Sequence, residues 1–236
     1  AIATRGENPA AVAARVWARL IHGDSALGRS ALGAEATLGN VVKIIYAHGA
    51  AQRIATYAYI IAGGLGVAHL ALSLRAAKRR SNPQSTGEIA SHKSLAMTLA
   101  RWTQAVAETA IVFWLIQFVV SAPAQILAWG ALTLDEPRVA GALWILAFTA
   151  LVYVVARWIG EVSWLSMAAI VNTAILLIVL RGAIRAQRVL HPIDPIIASD
   201  SPAIKGFYAA IVITMGLLAF QFARDRVGQI SNLSHK

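Results

Sequence analysis

The sequence predicts an all-α, polytopic membrane protein with about five transmembrane helices, or four, plus an amphipathic helix at the N-terminus. The main observation is an almost unbroken apolar stretch from Val139 to Leu180, in which only Arg157 and Glu161 carry charge. At ~1.5 Å per residue, each half can cross most of a ~30 Å hydrocarbon layer. Composition agrees, because 58% of the residues are hydrophobic and 14% are charged, against roughly 45–50% and 25% in soluble domains.

The basic charge points to lipid rather than to nucleic acid. The formal net charge is +10 at pH 7. In a membrane protein, basic residues flank the apolar segments and contact anionic headgroups. No basic patch is interleaved with exposed aromatic residues, so we expect anionic lipids as partners and no nucleic acid. A chain of 236 residues can form one bundle, without room for a sizeable soluble domain.

The residue types that carry catalysis are sparse. There are no cysteines, which excludes disulfides and thiolate metal sites within this chain. The six histidines show no ligand spacing, and no HExxH, GxSxG or P-loop pattern is present. We therefore expect no enzyme activity and no metal centre.

Residues 1–40 are predicted to form an amphipathic helix followed by an arm. Asn8 can cap a helix, Pro9 suits its first position and Gly23 ends it. This cationic helix would lie on a membrane surface or on a neighbouring protein, and a remnant of a transit peptide is a third possibility. The arm, residues 24–39, is rich in Ala, Gly and Ser. Residues 41–224 would form the transmembrane bundle and residues 225–236 a polar tail.

The first predicted span, residues 54–74, carries a stripe of small residues on a helix that can begin near Val41. Small side chains at steps of three and four let a second helix approach closely in lipid. The predicted packing seam consists of Ala55, Ala58, Ala62 and Gly66.

His69 continues this stripe. An intramembrane histidine can ligate a haem or chlorin, or carry a proton. The simpler interpretation, which we favour, is a hydrogen bond to a neighbouring helix.

Two groups of basic residues lie beyond the ends of predicted spans, where phosphate headgroups would be. Their expected roles are topology and lipid contact, and a bound phospholipid is predicted, with cardiolipin as one candidate. The two groups are Lys78, Arg79 and Arg80 after the first span, and Arg181, Arg185 and Arg188 after the fourth. Between the first and second spans, residues 88–101 are compatible with a surface helix.

The second predicted span, residues 109–134, contains polar residues near its middle and Pro123, which predicts a kink. Polar groups at that depth need protein partners, because lipid supplies none. Asn172, in the fourth span, is the expected partner. The predicted polar cluster is Gln117, Ser121, Gln125 and Asn172. It would line a path for ions or protons or, as we favour, fasten helices together.

The remaining spans are predicted at residues 139–156, 162–180 and 206–223. Gly160 indicates a turn between the third and fourth, although one long tilted helix is the alternative. Dense basic charge at Lys78 assigns its side to the cytoplasm or matrix. The group that begins at Arg181 would then lie on the opposite side, against that rule.

These features favour a non-catalytic accessory or structural subunit of a large energy-transducing complex, such as an ATP synthase, respiratory or photosynthetic complex. Its partners would be other membrane subunits. Its location would be the mitochondrial inner membrane or a bacterial cytoplasmic membrane. The alternatives are a small transporter or channel that uses the polar cluster, or a pigment- or quinone-contacting subunit that uses His69.

Overall fold

A computed structural model of the chain describes residues 41–79, 86–186, 196 and 199–233. In these ranges the chain forms helices and no strands. The helices are α1 (Val41–Arg79), α2 (Thr86–Trp129), α3 (Pro137–Ile159), α4 (Val162–Arg185) and α5 (Pro202–Leu233). All five are long and apolar enough to cross a membrane, which confirms the predicted helical membrane fold with five spans. The predicted N-terminal helix and arm, together with Arg80 and Arg188, lie outside the described residues.

Successive helices run in opposite directions, as contacts along their lengths show. Helices α3 and α4 form an antiparallel hairpin, because later residues of α3 contact earlier residues of α4. Its contacts include Gly141 with Ala183 and Thr149 with Asn172.

Contacts of α1 place the other helices. Helix α4 is antiparallel to α1, because Tyr59 contacts Thr173 whereas His69 contacts Ser166. Helix α5 is parallel to α1, as the pairs Tyr46–Phe207 and Ile54–Gly216 show. Helix α2 is antiparallel to α1, because His48 contacts Gln117 whereas Ala62 packs with Ala107. The C-terminal end of α1, the N-terminal end of α2 and the C-terminal end of α5 therefore meet at one end of the bundle.

Gly160 ends α3 and confirms that residues 139–180 form two helices. Its φ of 81° lies in the left-handed region, and its N–H donates to the Ala156 carbonyl at 3.4 Å. Only glycine adopts this conformation readily, which explains the sharp turn into α4. Glu136 starts α3 by accepting hydrogen bonds from the N–H groups of Arg138 and Val139 at 2.8 and 2.9 Å. Pro137, at the first helical position, lacks only an N–H that has no partner within a helix.

Helix α2 corrects the predicted boundaries around the second span. The expected surface helix at residues 88–101 and the second span are one continuous helix, which also continues through Pro123. The charged residues before residue 109 mark the start of the uncharged span. They do not end the helix, because no helix-breaking residue separates the two segments. At the other end, α2 stops at Trp129 and Gly130 has a φ of 76°, so residues 130–134 are not helical.

Helix α5 begins at Pro202 and extends beyond Ala223, the expected end of the fifth span. It continues to Leu233, so residues 225–233 belong to the bundle rather than to a polar tail. Contacts with α2 stabilise this extension, including a hydrogen bond of 3.2 Å from Arg101 to Ser231.

The core lies where α1, α2 and α5 meet the α3–α4 hairpin. Trp114 is 1% exposed, and its indole N–H donates to the Ala142 carbonyl at 2.9 Å. Its ring meets that of Tyr59 edge to face, with 6.1 Å between the centroids. The largest buried side chains also include Tyr46, Phe207, Ile145 and Leu176.

Candidate functional site

The α1–α4 seam is built on glycine at two positions. A Cβ atom added to Gly66 would lie 2.7 Å from the Ser166 carbonyl oxygen, so the two backbones approach too closely for a side chain. A Cβ on Gly63 would collide with Thr173, whereas one on Gly64 would meet no atom within 4 Å. The other predicted seam residues, Ala55, Ala58 and Ala62, are buried.

Hydrogen bonds join the helices beside this seam. The Thr173 hydroxyl donates to the Tyr59 carbonyl of α1 at 2.6 Å and also lies 2.9 Å from the Ala169 carbonyl. The Tyr59 hydroxyl lies 2.8 Å from Thr149 Oγ1, which donates to the Ile145 carbonyl at 2.7 Å. Because α1, α3 and α4 all contribute, these bonds set how the hairpin docks against α1.

His69 is 4% exposed and makes hydrogen bonds through both ring nitrogens. Its Nδ1 lies 2.8 Å from Ser166 Oγ on α4, and its Nε2 lies 3.2 Å from Ser73 Oγ one turn away on α1. A metal-centred pigment bound through His69 would have to displace one of these hydroxyls. The arrangement is that of a histidine that links two helices.

The predicted polar cluster is divided in the structure. Gln125 donates to Ser121 Oγ at 2.9 Å and accepts from Thr133 at 3.3 Å, all within the end of α2 and the turn that follows. Asn172, expected to be the partner of these residues, instead donates to the Thr149 carbonyl of α3 at 3.1 Å. The reason is that α4 directs Asn172 toward its hairpin partner.

Two buried polar atoms of this group have no hydrogen-bond partner in the described part of the chain. They are the side-chain nitrogen of Gln117 and the side-chain oxygen of Asn172, each on a residue that is 1% exposed. Gln117 takes part through its main chain, since its carbonyl lies 3.1 Å from the ring of His48.

The basic residues proposed as lipid contacts occupy opposite ends of the bundle. Lys78 is exposed at the end of α1, and Arg79 is the last residue of that helix. Arg181 and Arg185 are exposed near the end of α4. Each position is compatible with a headgroup contact, but the two groups do not form one site.

An ion pair that links α2 to α5 was not anticipated from the sequence. Arg226 Nε lies 2.5 Å from Glu108 Oε2, and their side chains are 35% and 12% exposed. Tyr153 of α3 donates its hydroxyl to Glu108, and Gln104 donates to the same carboxylate at 3.0 Å. Glu108 adjoins the second predicted span and Arg226 was placed in the tail. The sequence signal was the occurrence of both charges beside long uncharged segments, without any indication that they pair.

These residues line an open groove of about 490 Å³ between α2, α3 and α5. One part of the lining is polar, with Glu108, Tyr153, Arg226 and Gln229, and the other is apolar, with Ile111, Val112 and Phe222.

No family model, curated protein or solved structure matches this chain. Its function is therefore inferred from geometry. In the described residues, no group of three or more His, Asp or Glu side chains is placed to hold a metal ion. The seam can stabilise the docking of helices, and the groove can accommodate an amphipathic molecule with a polar and an apolar part.

Proposed function

We propose that this chain is a non-catalytic structural subunit of a larger hetero-oligomeric membrane assembly, in an energy-transducing membrane such as the mitochondrial inner membrane or the bacterial cytoplasmic membrane. The observation that carries the proposal is the length of α1 and α2. At ~1.5 Å per residue, the 39 residues of α1 and the 44 of α2 extend over ~58 and ~66 Å. A bilayer is only ~40–45 Å thick with its headgroups.

Parts of both helices therefore project into water beside the membrane. Helices α1 and α2 pack against each other, as the Ala62–Ala107 and His48–Gln117 contacts show. A projecting helix pair is a suitable surface for another subunit.

The polar side chains inside the bundle support the same proposal. Tyr59, Thr149, Thr173 and His69 form hydrogen bonds between or along helices. Bonds of this kind fasten transmembrane helices to one another. This is the arrangement expected of a scaffold.

The test is native purification of the full-length protein in mild detergent, with the mass and the visible spectrum recorded together. The proposal predicts a particle far heavier than the 25.1 kDa chain plus its detergent, with other membrane proteins in constant ratio. A matched pair of variants, Ala62→Leu in the seam and Ile61→Leu on the exposed face, controls for specificity. Ala62 is 1% exposed and Ile61 is 54% exposed, so only Ala62→Leu should disrupt the packing of α1 inside the bundle and thereby release the chain from its partners.

A colourless monomer or small homo-oligomer would overturn this proposal. Visible absorbance that follows the chain and disappears in His69→Ala would instead identify a pigment-binding subunit.

A small transporter or channel is the second candidate, favoured by the two unpartnered buried atoms of Gln117 and Asn172. Unsatisfied polar groups inside a membrane protein are where water or an ion can bind. Proton and potassium flux into proteoliposomes would test it. Flux that is present in the unmodified protein and lost in Asn172→Ala would favour transport, and equal background flux in both would exclude it.

A further inference from the structure

The groove between α2, α3 and α5 has hydrogen-bond donors that the protein does not use. Glu108 is fully engaged, because Oε1 accepts from Tyr153 and Gln104 and Oε2 accepts from Arg226. Its carboxylate is thus directed to protein donors and offers little to a ligand.

Arg226, in contrast, keeps a hydrogen-bond donor that no group of the described residues uses. Its Nε donates to Glu108 and its Nη1 donates to Gln229 Oε1. The described residues supply no acceptor for Nη2, and the side chain is 35% exposed. The Gln229 side chain is exposed and keeps its amide N–H₂ group available. The free groups in the polar part of the groove are therefore donors, one of them on a permanent cation.

Both charged residues of the groove adjoin the uncharged segments of their helices. Arg226 follows the uncharged segment 206–223 of α5, and Glu108 precedes the uncharged segment of α2 that begins at residue 109. On α3, Tyr153 lies one helical turn before Arg157, near the hairpin turn at Gly160.

The same level on α1 is apolar. Ala107, next to Glu108, packs with Ala62, in the middle of the uncharged segment 54–74. The charged residues of the groove are thus level with an apolar part of α1.

We propose that the groove binds an anionic phospholipid, with its phosphate on the Arg226 guanidinium and an acyl chain along Ile111, Val112 and Phe222. Arginine matches the geometry of phosphate oxygens. A zwitterionic choline headgroup is disfavoured, because Glu108, the only acid lining the described groove, already accepts three hydrogen bonds. This site is distinct from the basic residues at the ends of α1 and α4, and it does not depend on the proposed role as a subunit.

The test uses native mass spectrometry of the full-length protein from nanodiscs that contain equal amounts of phosphatidylglycerol and phosphatidylcholine. The unmodified chain should retain phosphatidylglycerol preferentially. Arg226→Gln should weaken retention roughly tenfold or more, which is the loss of a charge-assisted hydrogen bond. Arg224→Gln removes the same charge from an exposed position on the same helix and should leave retention unchanged. Equal retention in both variants would overturn the proposal.

Arg226→Gln also leaves Glu108 without its partner, so a second pair of variants leaves the ion pair intact. Val112→Phe fills the apolar part of the groove, whereas Val119→Phe adds the same volume at a position that is 60% exposed. Only Val112→Phe should reduce lipid retention. Equal retention in the two would refute the acyl-chain site. Displacement of the lipid by excess inorganic phosphate would show that a free anion, rather than a phospholipid, is the ligand.

Discussion

Replacing Gly66 with alanine tests whether α1 and α4 approach as closely as the seam requires. The new Cβ would lie 2.7 Å from the Ser166 carbonyl oxygen and 3.3 Å from Ile170 Cγ1. Ordinary contacts begin at 3.4 Å, so the backbones would have to separate by 3.4 − 2.7 Å, or about 0.7 Å. The obstacle is main-chain oxygen, which cannot rotate away as the end of a flexible side chain can.

Two opposing terms set the magnitude. Extra volume in a well-packed interior costs about 1–3 kcal/mol. Alanine in place of a helical glycine contributes about 0.5–1 kcal/mol in the other direction. Gly64→Ala receives only the favourable term, because its Cβ meets no atom within 4 Å. The two variants should therefore differ in free energy of unfolding by about 1–3 kcal/mol, with Gly66→Ala the less stable.

The assay is unfolding of the purified protein in mixed micelles by increasing mole fractions of sodium dodecyl sulfate, followed by circular dichroism and tryptophan fluorescence. Gly66→Ala should unfold at a lower fraction of dodecyl sulfate than the unmodified protein, and Gly64→Ala at an equal or higher one. Coincident transitions for the two variants would refute the close approach of α1 and α4 at Gly66.

Two further predictions use the same assay. Tyr59→Phe removes the hydroxyl bonded to Thr149 and should destabilise the bundle by about 0.6–1.7 kcal/mol. Tyr57→Phe, at a side chain that is 53% exposed, should not, and equal losses in both would contradict the role of that bond. Glu136→Ala removes the N-terminal cap of α3 and should cost about 1 kcal/mol. The exposed neighbour Asp135 provides the control, and a loss in Asp135→Ala as large as in Glu136→Ala would reject capping as the cause.

Much of the fold was predictable because membrane insertion depends on the length and summed hydrophobicity of each uncharged segment. A long uncharged segment must cross or be buried wherever it lies in the bundle, so five spans followed from length and hydrophobicity. The turn at Gly160 was predictable for a local reason, since only the left-handed conformation of glycine joins two helices so sharply. Boundaries were less predictable, as α2 and α5 show, because charge alone does not end a helix.

The pairing of side chains between helices was decided only by the tertiary structure. Asn172 forms a hydrogen bond with the Thr149 carbonyl instead of with Gln117. Glu108 forms an ion pair with Arg226, which is 118 residues away in the sequence. In a membrane, the surfaces that face lipid and the surfaces that face protein are both apolar, so hydropathy does not reveal how each helix is rotated. The sequence by itself determined that the chain forms a bundle of membrane helices. Rotation and register, set by the close contacts at Gly63 and Gly66, determined which polar groups meet and where the groove opens.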